Sequence, residues 1–364
     1  MKKILFLFSV IVFCCTAHAQ NGYYTVTGKV LNAETGQPMQ AASVFAENTT
    51  LGTATDADGS FKLYLPNGGY DLVVTFTGFT TTTRRITMAD ASESIVLSIK
   101  AKEKELGDVV VKASYEVKDG WEKYGDFFLD NFIGKTANSK QCVIRNKEVL
   151  KFYYYKRSNR LKILATAPVE IDNFALGYTI QYALDSFTHE YNTQVSQYTG
   201  SPLFKEMQTD SMALKTTWAQ NRQVAYNGSI LHFMRSMYRK QLAEEGFEIQ
   251  FLVKFNGVEK AVQVKDFYGG VNYEKDDSTL TVEILPNQPE VAVMYKKEKT
   301  PDMYLAANPG AAADFQLSVL SFVPKESIII EQNGYYYDQG DITITYYWAW
   351  EKVADMLPYD FVPQ

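Results

Sequence analysis

Between Tyr24 and Ile99 apolar and polar residues alternate in short runs, and turn-forming residues close each run. Tyr24, Val26, Gly28 and Val30 share one strand face while Thr25, Thr27 and Lys29 take the other. Ala42, Val44 and Ala46 repeat the alternation, followed by Phe61, Leu63 and Leu65, by Tyr70, Leu72, Val74 and Phe76, and by the run Ile95–Ile99. A period of two marks a sheet with one face buried. Asn32–Pro38, Asp56–Gly59 and Pro66–Gly69 fall between the runs, where Asx side chains close turns and glycine supplies positive φ. The pattern predicts a seven-stranded Greek-key β-sandwich over residues 20–101. Asp56, Asp58 and Gly59 also match the opening of a calcium loop. The bidentate Glu due at its twelfth position would fall on Asn67, so a hairpin turn is the better reading.

The landmarks along this stretch are Gly28-Lys29-Val30, Gly36-Gln37-Pro38, Ala42-Ser43-Val44, Thr55-Asp56-Ala57-Asp58-Gly59-Ser60-Phe61, and a tyrosine strand from Tyr70 to Gly78-Phe79. In that order they resemble the carboxypeptidase regulatory-like family, a transthyretin-like sandwich. The resemblance implies an accessory module and no catalytic residue. Leu106–Val111 resembles the segment that follows this module in TonB-dependent outer-membrane transporters of Bacteroidetes-type bacteria. What remains of the chain is far too short for their barrel, so the expectation is a protein that works beside such a transporter.

Residues 1–19 read as a signal peptide: Lys2 and Lys3, an apolar run Ile4–Phe13, then Ala17-His18-Ala19, with cleavage between Ala19 and Gln20. That run is too short for a retained membrane span, and Phe13 or Cys14 stands where a lipobox needs a small residue. Export to the periplasm or the outer membrane is expected. Cys142 is then the one thiol left of three, so no internal disulfide can form. Its alternation with Ile144 suggests a buried apolar role. An acidic chain, net −6, argues against nucleic acid as a partner.

Residues 102–115 read as a linker or strand, and 116–364 as an α+β domain, so the chain is mainly β with a mixed second half. Trp121, Tyr124, Phe128 and Phe132 have helical spacing. Strand-like runs follow at Val149–Tyr155, Leu161–Ala165 and Leu176–Leu184, then a helical insertion over Asp210–Glu245 in which Ser229 can cap the second helix. Strands return at Phe247–Phe255, Glu259–Val264, Val291–Lys296, Leu317–Leu320 and Ile342–Trp350. This half, with Trp121, Phe132-Ile133-Gly134, Cys142, Asn173–Tyr178 and Ala225–Ser229, resembles a region that follows the same module in Bacteroidetes exported proteins of unassigned function. That resemblance implies architecture and no site.

Zinc peptidase chemistry needs an H-x-x-E pair, and neither His189 nor His232 has Glu three residues on. No metal and no cofactor is expected. Ser229 and His232, at i,i+3 beside Arg222 and Arg235, are the candidates for hydrolytic or anion-binding chemistry, yet no orienting carboxylate is evident and capping is the simpler role for Ser229. Tyr346, Trp348 and Trp350 would alternate on one strand face and could stack on sugars or pack a core. Three functions are consistent with these residues: a non-enzymatic binding or assembly accessory with an envelope protein or glycan partner, a carbohydrate-binding accessory, and a hydrolase around Arg222, Ser229 and His232.

Overall fold

The computed structural model describes residues 22–102, 115–337 and 339–364. The expected cleavage site at Ala19 and Gln20 and the Leu106–Val111 segment lie outside the described residues.

Seven strands form the N-terminal sandwich, as the alternation predicts: β1 (Tyr23–Asn32), β2 (Ser43–Ala46), β3 (Gly52–Ala54), β4 (Ser60–Pro66), β5 (Tyr70–Thr75), β6 (Thr82–Ile86) and β7 (Ser94–Ile99). One sheet has the order β4-β1-β7 and the other β3-β2-β5-β6, and β7 runs parallel to β1. Val26, Val30, Val44, Leu63, Leu65, Leu72, Val74 and Ile99 fill the space between them. Gly28 sits where a Cβ would meet the Ile95 carbonyl at 2.3 Å and the Phe61 ring at 2.6 Å, which explains why β1 carries a glycine in mid-strand. The Asp56–Gly59 segment is a turn but not the hairpin expected, because it carries the chain from β3 in one sheet to β4 in the other: Asp58 Oδ1 accepts from the Ser60 backbone N–H and hydroxyl, and its other oxygen pairs with Lys29 at 3.0 Å.

The second unit is built on β8 (Cys142–Ile144), β9 (Leu150–Tyr155), β10 (Arg160–Ala165), β11 (Val169–Asn173), β12 (Tyr178–Glu190) and β13 (Val195–Glu206). The order is β8-β11-β12-β10-β9, and β13 pairs along the other side of β12 with a bulge between Leu184 and Ser186. Helix α1 (Gly120–Phe128), continued by a wider turn over Leu129–Ile133, presses Phe128 and Phe132 onto this sheet. The expected strand Leu176–Leu184 begins later and runs further. Asn173 Oδ1 accepts from the Leu176 N–H and Gly177 takes φ +69°, a turn that delays β12 to Tyr178. Cys142 is half-buried, and burial pushes its thiol up to about 12, which keeps it protonated and inert.

Helices α2 (Met212–Tyr226) and α3 (Ile230–Tyr238) lead into the third unit, with Ser229 as the N-cap of α3. Its strands are β14 (Phe247–Phe255), β15 (Val258–Gln263), β16 (Glu274–Asp276), β17 (Thr281–Ile284), β18 (Glu290–Tyr295), β19 (Gln316–Phe322), β20 (Ile328–Glu331) and β21 (Ile342–Tyr346). They form the sheets β15-β14-β18-β19-β21 and β16-β17-β20, which enclose a separate core with Phe233, Met237, Val293 and Trp348.

The strand expected over Ile342–Trp350 breaks at Tyr346. That residue takes φ +63°, ψ −129°, and Tyr347–Trp350 coils into a single helical turn, so Tyr346, Trp348 and Trp350 do not share a strand face. The Trp348 N–H is held by Ser318 Oγ at 3.1 Å and its indole donates to the Gly228 carbonyl at 2.6 Å. Burying that large side chain between β19 and the α2–α3 turn requires the chain to fold inward there.

The last fourteen residues return across all three units. Val353, Ala354 and Leu357 enter the core of the second unit. The Tyr359 N–H donates to Asn48 O in the sandwich at 2.7 Å, and Asp360 accepts from the Thr50 N–H and hydroxyl.

Candidate functional site

The two sheets of the sandwich have opposite surroundings. Residues of β2, β5 and β6 that point away from the sandwich core are covered by the rest of the chain: Phe45 and Val73 are buried although neither belongs to the sandwich's inner cluster. Phe45 sits beside Gly52 and Leu203 of β13, and the 48–50 turn adds to that strand through Asn48 N–H to Pro202 O at 2.8 Å and Phe204 N–H to Thr49 O at 2.9 Å. The outer face of β4-β1-β7 is open, and Tyr23, Tyr64 and Val96 are 68%, 58% and 56% exposed on it. Lys62 lies 4.8 Å from the Tyr64 ring centre.

On the covered side charge is buried with its partners. Arg85 reaches Glu331 Oε1 at 2.9 Å and Asp71 at 3.6 Å, and its guanidinium lies 4.1 Å and 4.2 Å from the ring centres of Tyr335 and Tyr337. Tyr335 donates to Asp71 at 2.6 Å and Tyr337 to Glu331 at 2.7 Å. Each carboxylate therefore has a cation and a phenol, the pairing a buried charge requires. Close by, burial pushes the Glu47 carboxyl up to about 7, Asp71 and Asp185 adding to the rise and a hydrogen bond from Ser201 working against it.

Where the sandwich and the second sheet diverge they leave a cleft of about 610 Å³ between the Phe76–Thr81 loop and the outer face of β11–β12. Asp185, at the bulge of β12, lines it, and burial raises that carboxyl against the pull of Lys102. A second cleft, of about 520 Å³, is lined by His232, Arg239, Glu245, Lys297, Glu298 and the tail residues Pro363 and Gln364. A third, of about 570 Å³, lies against β19 and β21 and is edged by Tyr304, Tyr346 and Trp350.

The candidates named from the sequence are placed as follows. Ser229 Oγ donates to Tyr226 O at 2.7 Å and accepts from the His232 backbone N–H at 3.2 Å, so it serves as the helix cap. His232 Nδ1 accepts from the Gly228 N–H at 3.1 Å, which leaves the ring proton on Nε2, facing Glu245 Oε2 at 3.2 Å. Burial lowers the pKa of this histidine despite Glu245. With Nδ1 occupied and Nε2 donating, the ring has no lone pair directed at Ser229, and the pair is not arranged as nucleophile and base.

Arg222 donates to the carbonyls of Leu176 and Gly177, pairs with Glu206 at 2.6 Å and stacks 3.9 Å from the Tyr178 ring centre. Buried Arg235 donates to the carbonyls of Asn333, Tyr359 and Phe361 at 2.9–3.0 Å, tying the tail to the third unit. Arg235 thus donates to carbonyls, while the donors of Arg222 are divided between carbonyls and the exposed Glu206 carboxylate. Trp348 is buried, and Trp350 is half-buried at the edge of the third cleft. Among the described residues no group of three or more His, Cys, Asp or Glu side chains could hold a metal ion, and no helix is long and apolar enough to cross a membrane.

The Arg85 assembly was missed from the sequence, because Asp71, Arg85, Glu331 and Tyr335 come from opposite ends of the chain. One signal existed. Leu72-Val73-Val74 is continuously apolar where a strand exposed on one side should alternate, and continuous runs mark strands covered on both faces.

Comparison with known proteins agrees with the N-terminal architecture. A TonB-dependent receptor P3 from Formosa agariphila is 26% identical over 111 residues, which is 30% of this chain and 10% of the receptor, so the chain spans about a tenth of that relative's length. Among solved structures, a DUF3823 family protein from Bacteroides ovatus aligns over 52% of this chain and 83% of its own at 13% identity, with a TM-score of 0.18. A 9R-lipoxygenase from Cyanothece aligns over 59% and 48% at 8% identity, with a TM-score of 0.15. Overlaps that loose carry no argument about fold or function. The model of the CarboxypepD_reg-like domain matches residues 26–111, and with the seven strands described above this stretch of the chain is a CarboxypepD_reg-like domain.

Proposed function

We propose that this protein is an exported, non-catalytic accessory of the cell envelope. Its CarboxypepD_reg-like sandwich is fixed to the body by one sheet and docks a protein partner with the other. The observation that carries the reading is the asymmetry of the sandwich: Phe45, Val73 and Arg85 are committed to the body, while the outer face of β4-β1-β7 is uncovered and carries Tyr23 and Tyr64 as exposed neighbours on adjacent strands, with Val96 further along beside Lys29. Aromatic residues on a flat sheet face, edged by lysines, suit a protein interface. Similarity to part of a TonB-dependent receptor supports the envelope as the setting and an outer-membrane protein as the partner.

The test is cross-linking and affinity purification of the tagged protein from its native envelope, with the Tyr23→Ser/Tyr64→Ser double variant in parallel. One outer-membrane protein should be recovered with the wild type and lost with the variant at equal abundance. Fractionation of the wild type into the cytoplasm, or equal recovery with both proteins, would overturn the reading.

A further inference from the structure

The cleft against β19 and β21 belongs to the third unit, away from the docking sheet, and its edge is built in an unusual way. Tyr346 occupies a backbone region that side chains avoid and that a type II′ turn normally fills with glycine. A tyrosine there is strained, and its ring gains no burial in return, since it remains 58% exposed. Strain of this kind persists where the surrounding structure imposes it, and it collects at binding sites.

The surroundings do impose it. The buried Trp348 immediately beyond is fixed by Ser318 and Gly228, and the Tyr304 ring meets Trp350 edge-on at 5.6 Å and 87°. Tyr346 and Trp350 are thus held at the edge of a 570 Å³ cleft that Glu290 and Asn308 also line. Ser321 donates to Glu290 at 3.2 Å and the Asn308 amide N–H donates to Tyr304 O at 3.0 Å, which orients an acceptor oxygen on each of them. The Trp350 indole N–H and the Tyr346 hydroxyl have no hydrogen-bond partner among the described residues.

Two aromatic faces, two unpaired donors and two oriented acceptors suit a ligand with apolar C–H faces and hydroxyl edges. The single charge lining the cleft, Glu290, disfavours an anion. We infer that the Tyr346–Trp350 cleft binds a neutral hexopyranose chain, with the sugar rings on the two aromatic side chains and their hydroxyls on Glu290 and Asn308.

The test is affinity electrophoresis of the full chain through gels containing soluble starch, mixed-linkage β-glucan, galactomannan or, as an anionic control, polygalacturonate. At least one neutral polysaccharide should retard the wild type, and Tyr346→Ala and Trp350→Ala should each weaken that retardation about tenfold, as loss of a stacked ring predicts. Tyr346→Gly separates binding from folding, because it should relieve the strain, melt no lower than the wild type and still lose retardation. Mobility unchanged in all three neutral gels, retardation by polygalacturonate alone, or full retardation of Tyr346→Gly would each overturn the inference. Because the patch at Tyr23 and Tyr64 lies on another unit, the double variant should be retarded like the wild type, so failure of the docking reading leaves this result standing.

Discussion

The two sheets of the sandwich are chemically similar on their inner sides and different on their outer ones. β2, β5 and β6 turn Phe45, Val73, Asp71 and Arg85 outward into the body of the protein, whereas β1, β4 and β7 turn Tyr23, Tyr64 and Val96 into solvent. One sheet has become an internal wall and the other has kept a surface. The same sandwich is therefore part of the body on one side and open to solvent on the other.

Substitutions can break that contrast, and the covered face should respond most. Arg85→Ala leaves Glu331, whose side chain is only 2% exposed, without its cation, and should cost about 3–5 kcal/mol in chemical denaturation. Loss of less than about 1 kcal/mol would mean that the covered face is not energetically coupled to the third unit. Phe45→Ala opens a cavity against Leu203 and should cost about 3 kcal/mol by the same measurement.

Glu47 gives the covered face a pH signature. Its folded pKa of about 7 lies above the ordinary value of 4.5, so the folded state binds the extra proton, and stability falls as pH rises between those values. The penalty is absent below about pH 4.5 and complete above about pH 7. Glu47→Gln should flatten the slope and add on the order of 1–2 kcal/mol at pH 8 after screening at this partly exposed group, read from denaturation curves at pH 5, 6.5 and 8. On the open face Tyr64→Ser should change stability by no more than about 0.5 kcal/mol. A larger loss would show that the open sheet is structural as well.

The inner architecture of the sandwich was legible because it is written locally. Gly28, the Asp56–Gly59 turn and the alternation from Tyr70 to Val74 each encode a strand or a turn within a few residues. The outer faces were not, since whether Phe45 and Asp71 are covered depends on Leu203 and Tyr335, far away in the chain. The helix at Trp121–Phe128 and the cap at Ser229 were read correctly for the same local reason. The break at Tyr346 was invisible, because no Gly, Pro or Asn marks it and tertiary packing of Trp348 overrides the strand propensity of its neighbours. Ser229 and His232 are close in space, as their spacing suggested, but helix capping and the Gly228 N–H fix their roles, and backbone hydrogen bonds of that kind leave no trace in the pattern of side chains.

The returning tail also has a kinetic consequence. Asp360 grips Thr50 across 310 residues, and Tyr359 and Phe361 supply the carbonyls that Arg235 needs. During synthesis the sandwich can close on its own strands early, but its seat on the body is completed only after Tyr359, Asp360 and Phe361 have emerged. The slowest step of maturation should therefore be this final long-range loop closure, and a chain halted anywhere before Tyr359 would carry a formed sandwich on an unsealed body.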